Sequence, residues 1–373
     1  MPRARLPWRR DSCGDSRLGC PAKRSESPRP HSQPRNSGSI FPRRHSRYTS
    51  LMPGKRAFEA QIAALDTLRE APQESRTEPL RKALTEHNNF IVAKAADLAR
   101  EFGLTALTPD LLKSFDRFFE NPEKSDPQCW AKNAISRTLA AFEVQDPEIF
   151  LRGMRHIQLE AVWGGRSDTA GTLRATCALA LVQCRRLTND ELLAHLIDLF
   201  ADTEKTVRAE VARAIEQVGS PSASLLLRLR ATLAHDEPEV LGACYSGILR
   251  LEGASAIPWV SRFLIRGDEA AGEAALALAG THSPQALDIL QKSLDSAPDP
   301  WFRSVLLLAI ALTRQDAALE FLLDLVKSES FDAERAIEAI VRSMPSPGIM
   351  QRLEKMVAPQ PRLARALSAL AKP

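Results

Sequence analysis

Several things are scarce or missing in this sequence, and each absence narrows the reading. Aromatic residues make up only 6% of 373, while Ala and Leu dominate from residue 54 onward. That bias favours helices, because Ala and Leu lose least on entering one. No stretch reaches the roughly 18 apolar residues that span a bilayer, and the N-terminus lacks the apolar core of about 7–15 residues of a secretory signal, so the body reads as cytoplasmic. The six cysteines (Cys13, Cys20, Cys129, Cys177, Cys184 and Cys244) form no C-x-x-C and no Cys/His cluster with zinc spacing, which leaves buried free thiols as the plain reading. No G-x-S-x-G, phosphate loop or dinucleotide fingerprint is present, so neither a cofactor, a metal nor a catalytic residue is expected.

What is present is unevenly distributed. The net charge of +4 hides an opposition: residues 1–51 hold 12 Lys and Arg against 3 Asp and Glu, which leaves 38 against 43 in the rest. The body is mildly acidic, and an acidic body makes nucleic acid an unlikely partner, since phosphate binding rests on clustered Lys and Arg. Residues 1–51, with runs such as Pro28-Arg29-Pro30 and Pro42-Arg43-Arg44, show no apolar periodicity and are expected to be a disordered basic tail. Met52-Pro53-Gly54-Lys55 begins abruptly where the helical pattern starts, and Met52 would equally serve as the true start.

A small-then-branched dipeptide recurs along the body: Ala180-Leu181, Ala214-Ile215, Gly247-Ile248, Ala277-Leu278, Ala309-Ile310, Ala339-Ile340 and Ala369-Leu370. The steps are 34, 33, 30, 32, 30 and 30 residues. Punctuation keeps the same period. Asp126-Pro127, Glu237-Pro238 and Asp299-Pro300 mark starts of second helices, and Thr108-Pro109, Asp146-Pro147 and Ser283-Pro284 starts of first ones, because proline suits the first helical turn and an acid caps its free N–H groups. Gly219, Gly253 and Gly280 fall near helix ends, where a left-handed residue is often required. The reading is a lone helix near residues 58–69 followed by nine helix pairs. They begin near Arg76, Pro109, Pro147, Asn189, Pro221, Ala254, Pro284, Asp316 and Gly348. A single pair cannot bury both its apolar faces, so the pairs must stack.

A further pattern is an acid, five residues, then a base: Asn88/Lys94 (with Asn for the acid), Asp126/Lys132, Asp168/Arg174 and Asp202/Arg208. The equivalent basic positions are then Leu241 and Gly272, and Arg303 returns without an acid at that spacing. Over residues 76–371 this resembles HEAT repeats, firmly through Gln217 and more loosely beyond, and less closely the short repeats of bilin-lyase-like proteins. The resemblance implies an all-α fold, an α-solenoid wound as a right-handed superhelix of about nine pairs covering 52–373. It also implies that second helices line a concave face.

The longest step, the 42 residues from Lys132 to Arg174, contains Glu160-Ala161-Val162-Trp163-Gly164-Gly165-Arg166-Ser167-Asp168. An extra loop carrying Trp163 and Arg166 on a rigid stack suits recognition, against a Trp tucked under a long turn. Asn133 and Arg137 share a helix face with Trp130 and, with Arg174, complete a candidate partner surface. Packed or solvated side chains are the plain alternative. Of Trp301-Phe302-Arg303, at least one ring should be core.

HEAT-like proteins are mostly scaffolds and adaptors, so the expectation is a non-catalytic scaffold binding a protein or peptide on its concave face. Some HEAT-like iron hydroxylases carry His-Glu dipeptides, and none of the seven histidines here precedes Glu. The resemblance leaves two alternatives: bilin-lyase-like or other enzyme-associated chemistry, and nucleic-acid binding through a basic stripe of Lys94, Lys132, Arg137, Arg174 and Arg208.

Overall fold

The computed structural model describes residues 53–233 and 235–370, so the expectation for residues 1–51 lies outside the described residues. Helix α1 (Pro53–Asp66) precedes nine pairs. The first two are α2 (Thr77–Leu84) with α3 (Asn89–Glu101), and α4 (Thr108–Arg117) with α6 (Trp130–Ala141), the short α5 (Pro122–Ser125) lying between the latter two. The third joins α7 (Pro147–Met154) to α8 (Gly171–Leu181) through two strands, β1 (Leu159–Val162) and β2 (Gly165–Asp168). Then come α9 (Asn189–Phe200) with α10 (Lys205–Val218), α11 (Pro221–Leu233) with α12 (Pro238–Glu252), and α13 (Ile257–Ser261) with α14 (Glu269–Ala279). The last three are α15 (Pro284–Ser296) with α16 (Pro300–Leu312), α17 (Asp316–Lys327) with α18 (Ala333–Arg342), and α19 (Pro347–Val357) with α20 (Pro361–Leu370). The fold is an all-α solenoid.

Local chemistry sets most of these boundaries. The Asn88 side chain accepts from the N–H groups of Phe90 and Ile91, Asp299 from that of Phe302, and Thr188 with Glu191 forms a reciprocal capping box; each satisfies donors that the first helical turn leaves free. Gly219 ends α10 in the left-handed region at φ +72. Gly280 does not follow suit: it stays helical at φ −63, and His282 takes the left-handed conformation two residues later at φ +52. The first helix of the sixth pair is also not continuous. Gly253–Ala256 and Arg262–Arg266 are 3-10 turns on either side of α13, in a stretch with glycine at both ends and Pro258 inside, residues that weaken a long α-helix.

Second helices pack on second helices in chain order from α3 to α20, and each is flanked by its own first helix. The periodic marker residues Leu181, Ile215, Ile248, Leu278, Ile310 and Ile340 are all buried in one core running from Leu65 to Leu367, with Leu370 packed against it. Burying each such side chain contributes roughly 1.5–3 kcal/mol relative to exposure. Small residues sit between them, as Ala95, Ala96 and Ala99 on α3 and Ala271, Ala274 and Ala275 on α14, so neighbouring helices approach closely.

The acid–base spacing becomes an ion-pair ladder between pairs. Arg174 bonds Asp168 at 2.6 Å within its own pair and Asp202 of the next at 2.7 Å. Arg208 reaches Asp236 at 2.8 Å, and Arg303 binds Asp332 and the carbonyls of Leu294 and Ala297. The acid that Arg303 lacks at the upstream spacing is therefore supplied from downstream. Lys94 turns instead to Asp66 of α1 at 2.7 Å, and Lys132 to Asp126 at 3.1 Å. Arg137 lies 3.6 Å from Asp97. The basic residues that would have formed a stripe are each matched by a carboxylate. Where the ladder is interrupted, Gly272 admits the Trp301 ring: a Cβ there would lie 3.3 Å from it. Phe302 is buried and Trp301 half exposed.

Asp236 contributes to the pH dependence of this ladder. Burial opposes its ionisation, but hydrogen bonds involving Arg208, Glu237 and Arg230 prevail and bring the carboxyl from 3.8 down to about 2. A depressed carboxyl stabilises the fold above its unfolded value and loses that contribution as pH falls through the folded one. Stability should therefore decline between about pH 4 and pH 2. Asp236→Asn should flatten that part of a pH series of urea midpoints, and an unchanged slope would refute the assignment.

Candidate functional site

The extra residues of the third pair form a β-hairpin, not the irregular loop expected from the sequence. Leu159 pairs with Asp168 and Val162 with Gly165 in antiparallel register, leaving Trp163-Gly164 as the turn. Gly164 adopts φ +89 with open space around it, so backbone conformation and not crowding calls for glycine there. Trp163 at the tip is 104% exposed.

The hairpin's base is locked. The Gln158 N–H donates to Asp168 at 3.0 Å, and the Thr169 N–H to the Gln158 carbonyl at 2.9 Å. The buried Gln158 amide also donates to the Asp126 carbonyl at 2.9 Å and accepts from Cys129 Sγ at 3.3 Å. Glu160 accepts from the Gln128 N–H and the Gln158 amide, both at 2.6 Å, and from Thr169 Oγ1 at 2.8 Å. Burial opposes ionisation of Glu160 and of Asp168, yet the N–H donors of Gln128 for the first, and of Gln158 and Ala170 for the second, hold both carboxyls below the usual range. His156 packs edge-on against Phe119 at 4.9 Å and lies 3.0 Å from the Gln158 amide oxygen. Its burial pulls the imidazole below its ordinary value and favours the neutral ring.

Beside the hairpin lies a groove of about 540 Å³ between α7 and α9. Leu151, Met154, Ile157 and Leu159 supply its apolar wall; Arg155, His195 and Asp198 its polar edge. Ile157 is 66% exposed. These groove residues escaped the sequence reading, although two four-residue runs separated by two residues containing glycine are a hairpin signal.

The sequence-derived site residues do not all come together. Trp163 and Arg166 share the hairpin, where half-exposed Arg166 bonds Glu123 at 2.8 Å and the Leu159 carbonyl at 2.5 Å. Arg137 is half exposed, near Asp97. Two expectations are corrected. Arg174 is buried, with its guanidinium held by Asp168, Asp202 and the His156 carbonyl, so it braces the groove floor instead of forming an exposed contact surface. Asn133 is buried on α6, and its Oδ1 has no partner among the described residues. Trp130, on the same helix, lies against Phe90 at 4.6 Å with both rings half exposed.

The four described cysteines are buried and free, and burial pushes the thiols of Cys129, Cys177 and Cys244 up to about 12. None of those three is a thiolate at neutral pH.

Among the described residues, no helix is long and apolar enough to cross a membrane. No curated protein matches the sequence. A family model described as HEAT repeats matches residues 266–342, within the half where the acid–base spacing is interrupted. HEAT repeats generally mediate protein interactions. The chain thus contains HEAT repeats at 266–342, set within nine consecutive helix pairs between Thr77 and Leu370.

Proposed function

We propose that this chain is a non-catalytic scaffold or adaptor that holds a protein or peptide partner at the Trp163 hairpin and the groove beside it. The observation that supports this most is Trp163 itself. A fully exposed indole on a hairpin whose base is fixed by at least seven hydrogen bonds presents a large apolar surface to water with little freedom left to lose on binding. Ile157 and Leu159 add apolar surface in the groove beside the hairpin, and Arg155, His195 and Asp198 give that groove a polar rim, the usual layout of a recognition site.

The test uses the full chain as bait, with covalent trapping before washing, and compares it with Trp163→Ala and Ile157→Asp. A partner of this site is recovered by the parent chain and lost from both variants, whose circular dichroism stays unchanged. Affinity for that partner should fall at least about 30-fold for Trp163→Ala, as for a binding hot spot. A partner set identical across all three proteins would overturn the proposal.

A further inference from the structure

The outward face of α11 differs from those of its neighbours. Its inner side is ordinary, with Ala223, Ser224, Leu227 and Ala231 buried. Both its arginines are committed: Arg228 to Glu252 and the Trp259 ring, Arg230 to Asp236 and the Phe200 ring. What remains exposed along the helix is Pro221, Ser222, Leu225, Leu229, Thr232 and Leu233, without a charge. Leu225, Leu229 and Leu233 are 67%, 58% and 55% exposed, and their spacing of four places them in one stripe. By contrast, α15 exposes Asp288, Lys292 and Asp295.

The stripe is widened from both sides. The contacts of Arg230 with Phe200 and of Arg228 with Trp259 place α9 on one flank of α11 and the 257–266 segment on the other. The first flank adds exposed Ala194 and Ile197, the second Ile265 at 92% exposure. The two flanks carry opposite charge at the same end. Near the C-terminal end of α9, the exposed Asp198 carboxylate has no hydrogen bond or ion pair among the described residues. Near the end of the other flank, exposed Arg262 touches, among the described residues, the rings of Trp259 and Phe263 and no carboxylate, while Arg266 beyond it is paired with Asp268 at 2.8 Å.

This layout is self-complementary in one arrangement. First helices run parallel to one another, so a two-fold axis along α11 sets α11 against its copy in the same direction. It also lays α9 of one protomer over the 257–266 segment of the other. Leucine then meets leucine, and Asp198 of each protomer faces Arg262 of its partner. The antiparallel alternative would set Asp198 against Asp190 and Glu191 of the second copy, acid against acid. We infer that α11 is a self-association face: two copies of this chain pack their Leu225–Leu229–Leu233 stripes together in parallel, framed by reciprocal Asp198–Arg262 pairs. Three leucines flanked by two isoleucines make a small apolar patch, so a dimer with a dissociation constant in the micromolar range is expected. Asp198 also edges the groove beside the Trp163 hairpin, so self-association and partner binding share that side chain.

Sedimentation equilibrium of the full chain tests this. The parent chain should show a monomer–dimer equilibrium, and Leu229→Glu should weaken it at least about 30-fold with an unchanged melting curve, since the side chain is exposed. Asp198→Arg should weaken it and the Asp198→Arg/Arg262→Asp double variant restore it. Under mild oxidation, Thr232→Cys should cross-link two copies beyond the level of the parent chain, because a parallel two-fold brings each residue 232 near its own copy. A strictly monomeric chain, a dimer indifferent to Leu229→Glu, a double variant no better than Asp198→Arg alone, or no added cross-link would each overturn the inference.

Discussion

Replacing Arg174 with alanine should lower the stability of the stack by about 3–5 kcal/mol, seen as an earlier unfolding transition in urea. The guanidinium is 4% exposed and makes four hydrogen bonds: two to Asp202, at 2.7 and 3.0 Å, one to Asp168 at 2.6 Å, and one to the His156 carbonyl at 3.1 Å. Burial works against its charge, but the bonds it donates to Asp202 and then to Asp168 prevail and raise its pKa above the ordinary value. Truncation does more than delete the attraction. It strands two carboxylates and a carbonyl where water reaches poorly, and an unpaired buried charge is far costlier than a lost surface pair. Arg174→Lys should retain part of the stability, since an ammonium supplies charge but not the planar fork that grips Asp202 at two points. Arg137→Ala is the control. Its 3.6 Å approach to Asp97 is exposed on both sides, and its loss should cost less than about 1 kcal/mol. If Arg174→Ala unfolded like Arg137→Ala, the ladder would not be what couples the third pair to the fourth.

The two residues also show what the sequence makes legible. Regular spacing is readable because it repeats: the buried marker residues Leu181 through Ile340 carried the pair count and the phase, and the Asp-x5-Arg spacing identified Arg174 and Arg208 as special. What spacing does not reveal is direction. The same Arg174 suits a ligand-facing surface or a buried bridge, and only the approach of Asp202 from the next pair decides for the bridge. Asn133 shares that ambiguity, since helix phase relates it to Trp130 without saying which of them faces inward. The hairpin was visible as an interruption, yet short runs such as Leu159–Val162 hold too few residues for alternation to outweigh the helical pattern around them. The α11 stripe was hidden for the opposite reason. Leu225, Leu229 and Leu233 sit in a helix rich in leucine, and only their exposure in the packed array sets them apart from Leu227.

The second large effect is expected at Asp126, on the side of the hairpin facing α6. Asp126 and Lys132 are both wholly buried, 3.1 Å apart. The carboxylate also accepts from the Asn89 amide at 3.0 Å and from the N–H groups of Ala131 and Lys132 at 2.9 and 3.0 Å. It thereby caps α6 at a point where Gln128 and Cys129 adopt left-handed backbone, at φ +58 and +54. Asp126→Ala removes the cap and leaves the Lys132 ammonium buried, with the Phe118 carbonyl at 3.2 Å as its remaining acceptor. A loss of about 3–5 kcal/mol follows. Lys132→Met should cost less, because the carboxylate keeps its three N–H donors and the replacement fills a similar volume. The consequence extends to the hairpin. Gln158 is anchored on the Asp126 carbonyl and Glu160 on the Gln128 N–H, so loosening the turn at 126–129 releases both supports of β1. Asp126→Ala should therefore speed hydrogen exchange at Leu159–Val162 and weaken partner capture without touching Trp163, whereas Trp163→Ala should weaken capture with exchange at the hairpin base unchanged. Equal exchange at β1 in the parent chain and in Asp126→Ala would show that the hairpin is held by its own pairing alone, and the link from the buried ion pair to the recognition site would fall.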